Sequence, residues 1–190
     1  MTCTEQQFLK DVADHNMTVL RDDGINRHVQ FRRPNTSCMG FDLVTWSGYL
    51  CYSGDMGTYV FSRIPDMFEF FRRPDDSYRI DMGYWSEKCL AADRDGIAEY
   101  SADKFRERIT EWLNDRDAST AVREAVREEV LPRADDGEYE ARRAARDFSE
   151  EGFEFTDFWE CNLHEFTYRF VWCCYALAWG IRKYDQERKT

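Results

Sequence analysis

The stretch FDLVTWSGYLCYSGDMGTYVFSR, Phe41 to Arg63, leaves the chain few choices. Three alternating runs are separated by Ser47-Gly48 and by Gly54-Asp55-Met56-Gly57. A two-residue turn with glycine second needs a positive φ, which only glycine adopts without steric cost. The Gly-Asp-x-Gly loop marks a second hairpin. The expectation is a three-stranded antiparallel meander.

Pairing Trp46 with Tyr49 across the first turn sets Thr45 against Leu50, Val44 against Cys51 and Leu43 against Tyr52. The second loop sets Ser53 against Thr58, Tyr52 against Tyr59 and Leu50 against Phe61. Side chains alternate across a strand. One face therefore collects Phe41, Leu43, Leu50, Tyr52, Tyr59 and Phe61, and needs a cover, most cheaply helices. The other collects Asp42, Val44, Trp46, Tyr49, Cys51, Ser53, Thr58, Val60 and Ser62, a more polar and partly wet surface.

Upstream, Thr4 caps a helix burying Phe8, Leu9 and Val12. Met17 to Arg21 and His28 to Arg32 flank Asp22-Asp23-Gly24 and read as a hairpin with Val29 and Phe31 inward. The sheet thus counts five strands. Downstream, Ile64-Pro65-Asp66 starts a short helix, Met67 to Phe71, which Arg72-Arg73-Pro74-Asp75-Asp76 stops. Tyr78 to Met82 reads as an edge strand and Tyr84 to Leu90 as one or two helical turns.

From Ser101 the pattern is helical. Ser101 caps a helix with Phe105, Ile109, Trp112 and Leu113 on one stripe. Asp117 caps the next, with Val122, Val126 and Val130 four apart and Pro132 as its stop. Glu138 to Phe148 forms a third, lined by Tyr139, Ala144, Ala145 and Phe148. Trp159, Leu163, Phe166, Phe170, Cys173, Leu177 and Ile181 recur at helical spacing. They read as one last helix from about residue 157 to about residue 184. It either covers the meander or forms a seam with the preceding helices.

Aromatic residues make up 16% of the 190 residues, ample for a core despite 33% charged residues. The net charge of −11 disfavours broad affinity for nucleic-acid phosphates or anionic membrane. Between Glu87 and Glu150 stand 18 acidic and 12 basic residues, a net −6. Such charge suits a basic partner, or simply keeps the chain in solution. Seven scattered cysteines without a CxxC pair read as reduced thiols in a cytoplasm. The apolar run from Phe170 to Ile181 is too short to span a bilayer.

The segments FDLVTWSGYLCYSGDMGTYVFSRIPDMFEFFRR and GYWSEKCLAADRDGIAEYSADKFRERITEWL resemble an uncharacterised family of small proteins carried by bacteriophages, prophages and other mobile elements. The similarity covers roughly residues 4–114 and is most specific in W-x-G-x-L-x-x-x-G-D-M-G-T-Y-x-F, Trp46 to Phe61. The helical tail beyond residue 115 has no counterpart in it. The resemblance implies a small, soluble accessory protein, and such phage proteins are often inhibitors of host defence, anti-CRISPR proteins among them. It carries over no catalytic residue.

Other motifs weigh less than they first suggest. Cys161, His164, Cys173 and Cys174 are zinc-ligand types. In one helix, however, Cys173 lies about three turns beyond Cys161, and cysteines beside aromatics are common core filler. Ser101-Ala-Asp-Lys104 matches S-x-x-K without its companion motifs, and a helix cap accounts for Ser101. Gly54 to Gly57 lacks the lysine and helix of a phosphate loop. His28 is the one histidine worth testing as acid or base. The aromatic pair Trp46 and Tyr49 suits a binding hot spot unless the N-terminal hairpin or first helix covers it.

The expected fold is α+β. A five-stranded, mostly antiparallel sheet with covering helices occupies residues 1–100, and a helical region, 101–190, packs on it and closes on a long aromatic-rich helix. The expected function is inhibition of a bacterial defence complex, of the anti-CRISPR type, without cofactor or metal. Trp46, Tyr49, Glu124, Glu128, Asp135 and Asp136 are the partner-binding candidates, facing a basic nucleic-acid-binding surface on a host protein complex, with no direct nucleic acid and no membrane. Two alternatives stand beside it. One is a small hydrolase or nucleotide-modifying enzyme using His28 and nearby carboxylates; the other is an oligomeric scaffold seamed by the last helix.

Overall fold

The computed structural model describes residues 2–72 and 80–188. The expected helix stop from Arg73 to Asp76 and the start of the expected edge strand at Tyr78 lie outside the described residues. The chain divides into two compact units, residues 1–97 with 166–190, and residues 98–165.

The first unit opens on α1 (Glu5–Asp11), capped by Thr4, whose hydroxyl accepts the Gln7 N–H at 3.2 Å. Then come β1 (Asn16–Asp23), β2 (Asn26–Arg32), β3 (Phe41–Trp46), β4 (Tyr49–Gly54) and β5 (Gly57–Ser62). The short helices α2 (Met67–Phe71) and α3 (Met82–Glu87) follow, then β6 (Cys89–Ala91). All six strands form one antiparallel sheet in sequence order. The meander register is the expected one: Trp46 opposes Tyr49, Leu43 opposes Tyr52, and Tyr52 opposes Tyr59. The expected count of five strands falls short by β6. Residues 84–90 are therefore not one helical segment, because the chain leaves α3 at Lys88 and pairs Cys89 with Phe61.

The second unit begins with β7 (Ala98–Tyr100) and α4 (Ala102–Asp115), followed by α5 (Thr120–Glu129). A 3-10 turn, Leu131–Asp136, leads to α6 (Glu138–Asp147). The two-residue strands β8 (Ser149–Glu150) and β9 (Phe153–Glu154) make a small hairpin. A second 3-10 turn, Phe158–Glu160, precedes β10 (His164–Phe166), which pairs with β7. Phe105, Ile109, Val122, Val126, Ala141, Ala145, Phe158 and Leu163 are buried in this unit's core. Ser101 caps α4 as expected, accepting the Lys104 N–H at 3.1 Å. The cap of α5 is Ser119, not Asp117, which sits in a left-handed turn at φ 48°.

The closing helix α7 (Tyr168–Arg188) is shorter at its start than the apolar stripe suggests. Its expected first two turns are instead the second 3-10 turn and β10. The stripe residues Trp159 and Leu163 therefore belong to the helical unit, while α7 counts with the sheet unit. Within that unit α7 covers the inner sheet face. Phe170 meets Tyr59 and Phe61 at ring-centroid distances of 5.6 and 6.4 Å. Trp172 and Trp179 meet Phe41 at 5.7 and 6.2 Å. Each such ring contributes on the order of 3–5 kcal/mol against truncation to alanine. The part of the apolar stripe that lies on α7, Phe170, Cys173, Leu177 and Ile181, is buried in the sheet unit's own core. No described helix is long and apolar enough to cross a membrane.

Candidate interaction surfaces

The outer sheet face is built by the half of each strand's residues that the inner core does not use. Trp46 and Tyr49 sit on it, stacked with ring centroids 5.3 Å apart at 14°. They stay 42% and 38% exposed. The N-terminal elements do not cover them: β1 and β2 extend the same sheet, and α1 packs its Phe8 against Trp172 and Tyr175 of α7.

Farther along that face one carboxylate gathers three neighbours. His28 Nε2 lies 2.7 Å from Asp42 Oδ2, while Arg32 Nη2 and Gln30 Nε2 donate to Oδ1 at 2.6 and 3.4 Å. A carboxylate-oriented histidine is half of a nucleophile-activating arrangement. A thiol on the same face does not supply the other half. Cys51 lies on the same face, opposite Val44, which is itself opposite His28. Burial pushes the Cys51 thiol up, away from the reactive thiolate.

The helical unit holds nearly all of the net charge. Residues 98–165 carry 20 acidic and 10 basic side chains, a net −10 of the chain's −11. On α5 the valines 122 and 126 face inward, which turns Glu124 and Glu128 out into solvent. Neither has an ion-pair partner among the described residues. Asp135 and Asp136 stand on the following 3-10 turn and are partly neutralised, Asp135 by Arg106 and Asp136 by Arg133 at 3.1 Å. The four carboxylates thus share one unit, whereas Trp46 and Tyr49 belong to the other.

A cleft on α6 escapes sequence reasoning. Ala141, Ala145 and Phe148 form the buried stripe of this helix. Tyr139, Arg142, Arg143 and Arg146 recur at i, i+3, i+4 and i+7, the spacing of a single helix face. They border a cleft of about 250 Å³ floored by Phe155 and Phe158 and walled by Trp159. Tyr139 and Trp159 are 72% and 63% exposed, so Tyr139 does not line the core side of this helix as expected. Arg142 holds the cleft open by donating to the carbonyls of Trp159 and Cys161, both at 3.0 Å. That clamp ties the second 3-10 turn to α6. Each cleft arginine also has its own carboxylate: Arg142 pairs with Glu138 at 2.8 Å, Arg143 with Glu140 at 2.6 Å and Arg146 with Asp147 at 2.8 Å. The Arg146 hydrogen bond holds the Asp147 carboxyl below the usual range. The rim arginines are therefore offset by carboxylates outside the lining, and the floor is apolar.

The remaining motifs resolve into structure. Lys104 of the S-x-x-K segment donates its Nζ to the His164 carbonyl at 2.9 Å. His164, expected in the last helix, lies in the strand β10, and His15 follows the turn after α1. Cys161 and His164 belong to the helical unit and Cys173 and Cys174 to the sheet unit's core. Among the described residues no three His, Cys, Asp or Glu side chains gather as metal ligands. The chain matches no family model, no curated protein and no solved structure.

Proposed function

We propose that this chain is a non-enzymatic accessory protein of a mobile element that inhibits a bacterial defence complex, in the manner of anti-CRISPR proteins. It works by laying its acidic helical unit on the basic, nucleic-acid-binding surface of a protein target. The observation that carries this reading is the concentration of charge, −10 on residues 98–165 against −1 on the rest of the chain. A field of one sign on one unit draws an oppositely charged surface and speeds encounter. Glu124 and Glu128, which have no ion-pair partner among the described residues, remain available to a partner's arginines and lysines. The mobile-element origin rests on the resemblance of residues 4–114. Affinity capture from a bacterial host tests the reading. The expected result is recovery of a basic defence subunit by the wild-type protein and by His28→Ala, and its loss with Glu124→Lys/Glu128→Lys. Capture that survives charge reversal overturns it.

One contact favours a second reading, a small hydrolase. The 2.7 Å approach of His28 to Asp42 is the orientation a general base needs. Against it, Arg32 and Gln30 share the same carboxylate, so the cluster also serves as a cross-strand tie. Turnover of a substrate by wild-type protein, abolished in a folded His28→Ala variant, is the result that would favour the enzyme.

A further inference from the structure

We infer that the α6 cleft is the anchor point of the acidic unit: it receives one aromatic side chain projecting from a basic segment of a protein partner. The inference rests on the proposed function and specifies its partner. Four observations carry it. The first is size. At about 250 Å³ the cleft is smaller than the roughly 300–1,000 Å³ of small-molecule sites, and suits a single large side chain. The second is its lining. Phe155 and Phe158 offer ring faces and edges at the floor, and Tyr139 and Trp159 stand at the walls with most of their surface in water. An aromatic guest gains edge-to-face and stacked contacts there, and covers apolar surface the free protein leaves wet.

The third observation is local neutrality. Arg142, Arg143 and Arg146, the charged residues of the lining, each pair with a carboxylate outside it at 2.6–2.8 Å, so their charge is offset locally and not free to draw a phosphate or an acidic side chain. The fourth is the surrounding field. A net −10 on the unit repels an anionic ligand and attracts a segment rich in lysine and arginine. The guest is therefore uncharged and aromatic, and its flanks are basic. Hot spots of this kind, an aromatic anchor in a rigid pocket ringed by weaker polar contacts, dominate many protein interfaces. The Arg142 clamp on the Trp159 and Cys161 carbonyls keeps the pocket preformed, which lowers the ordering cost of binding.

The test uses the full-length protein and two synthetic peptides, Ac-RKRWRKR-amide and Ac-RKRARKR-amide, titrated by calorimetry. The tryptophan peptide is expected to bind about tenfold tighter than the alanine peptide. That advantage disappears in Tyr139→Ala and in Trp159→Ala, both exposed sites whose replacement leaves the thermal transition in place. Glu124→Lys/Glu128→Lys weakens both peptides equally and preserves their ratio. Equal affinity of the two peptides for the wild-type protein overturns the cleft assignment while leaving the acidic-surface reading intact. Failure of both peptides to bind overturns the acidic-surface reading as well. Tighter binding of adenosine monophosphate, or of the acidic peptide Ac-EDEWEDE-amide, overturns the choice of guest.

Discussion

Arg27 on β2 and Asp66 at the head of α2 form a two-pronged ion pair, with Nη1 and Nη2 at 2.7 and 2.8 Å from the two carboxylate oxygens. Arg27 is only 8% exposed and lies over the Phe68 ring, 4.8 Å from its centroid. Asp66 also accepts the Phe68 N–H at 3.0 Å, so one carboxylate caps α2 and holds it to the sheet. Removing one partner strands the other as a buried charge. Arg27→Ala and Asp66→Asn should each cost about 3–5 kcal/mol in urea unfolding. Burial opposes ionisation of Asp66, yet the Arg27 and Phe68 hydrogen bonds outweigh it and hold the carboxyl below its ordinary range. A depressed folded pKa contributes stability above the unfolded value of about 3.9, and that contribution fades as pH falls through the folded value. The gap between wild type and Asp66→Asn should therefore be constant from about pH 7 to 5 and narrow below about pH 4.

Two glycines should differ sharply in their tolerance of alanine. A Cβ on Gly54 would collide with the Gly40 carbonyl oxygen and stand 2.7 Å from Phe41 Cα, both backbone atoms of the neighbouring chain segment. That backbone cannot yield without breaking the meander, so Gly54→Ala should cost about 3 kcal/mol, at the upper end for overpacking. A Cβ on Gly180 of α7 would meet Leu43 Cδ1 and Phe31 Cε2 at 3.1 Å, the ends of side chains. There the helix preference for alanine, about 1 kcal/mol, offsets a modest squeeze. Gly180→Ala should stay within about 1 kcal/mol of wild type. Chemical denaturation of the two variants side by side checks both magnitudes.

Ser101 separates a cap from a nucleophile. Its hydroxyl accepts the Lys104 N–H at 3.1 Å, and the Lys104 ammonium is engaged by the His164 carbonyl. Ser101→Ala should lower helical-unit stability by about 1 kcal/mol, and Ser101→Asp, another good cap, should restore most of it. A nucleophile would show the reverse, with stability unmoved and no rescue by aspartate. Thermal unfolding followed by circular dichroism distinguishes the two.

The meander was legible because Gly48 and the Gly54–Gly57 loop leave one register, and period-2 alternation then assigns every face. Strand β6 was not. It has three residues with little buried apolar surface, and its pairing to Phe61 depends on a bulge. The long last helix misled through coincidence of phase. Trp159 and Leu163 lie four and three residues from their stripe neighbours, but Asp157 takes a left-handed conformation at φ 59° and the Phe158–Glu160 turn leads into a strand. Asp117 and Ser119 are both good capping residues two positions apart, and only the backbone chooses between them. The cleft stayed hidden because its walls, Tyr139 and Trp159, are twenty positions apart in sequence. The one local signal was the 139, 142, 143, 146 spacing on α6, which marks a common face but not what lies opposite it.

Salt should separate the two contributions to partner binding. Electrostatic attraction between the acidic unit and a basic segment acts over a Debye length of about 10 Å at 0.1 M salt, and about 3 Å at 1 M. Raising salt from about 0.05 to 0.5 M should therefore weaken both basic peptides by more than about tenfold, through slower association. Glu124→Lys/Glu128→Lys takes residues 98–165 from −10 to −6 and should flatten that dependence. Apolar burial in the α6 cleft is not screened by ions, so the ratio of the tryptophan to the alanine peptide should hold across the series. Stopped-flow association rates over a salt titration check the first expectation and calorimetry the second. A peptide ratio that collapses with salt would place the aromatic preference in the charged surface and not in the Tyr139–Trp159 cleft.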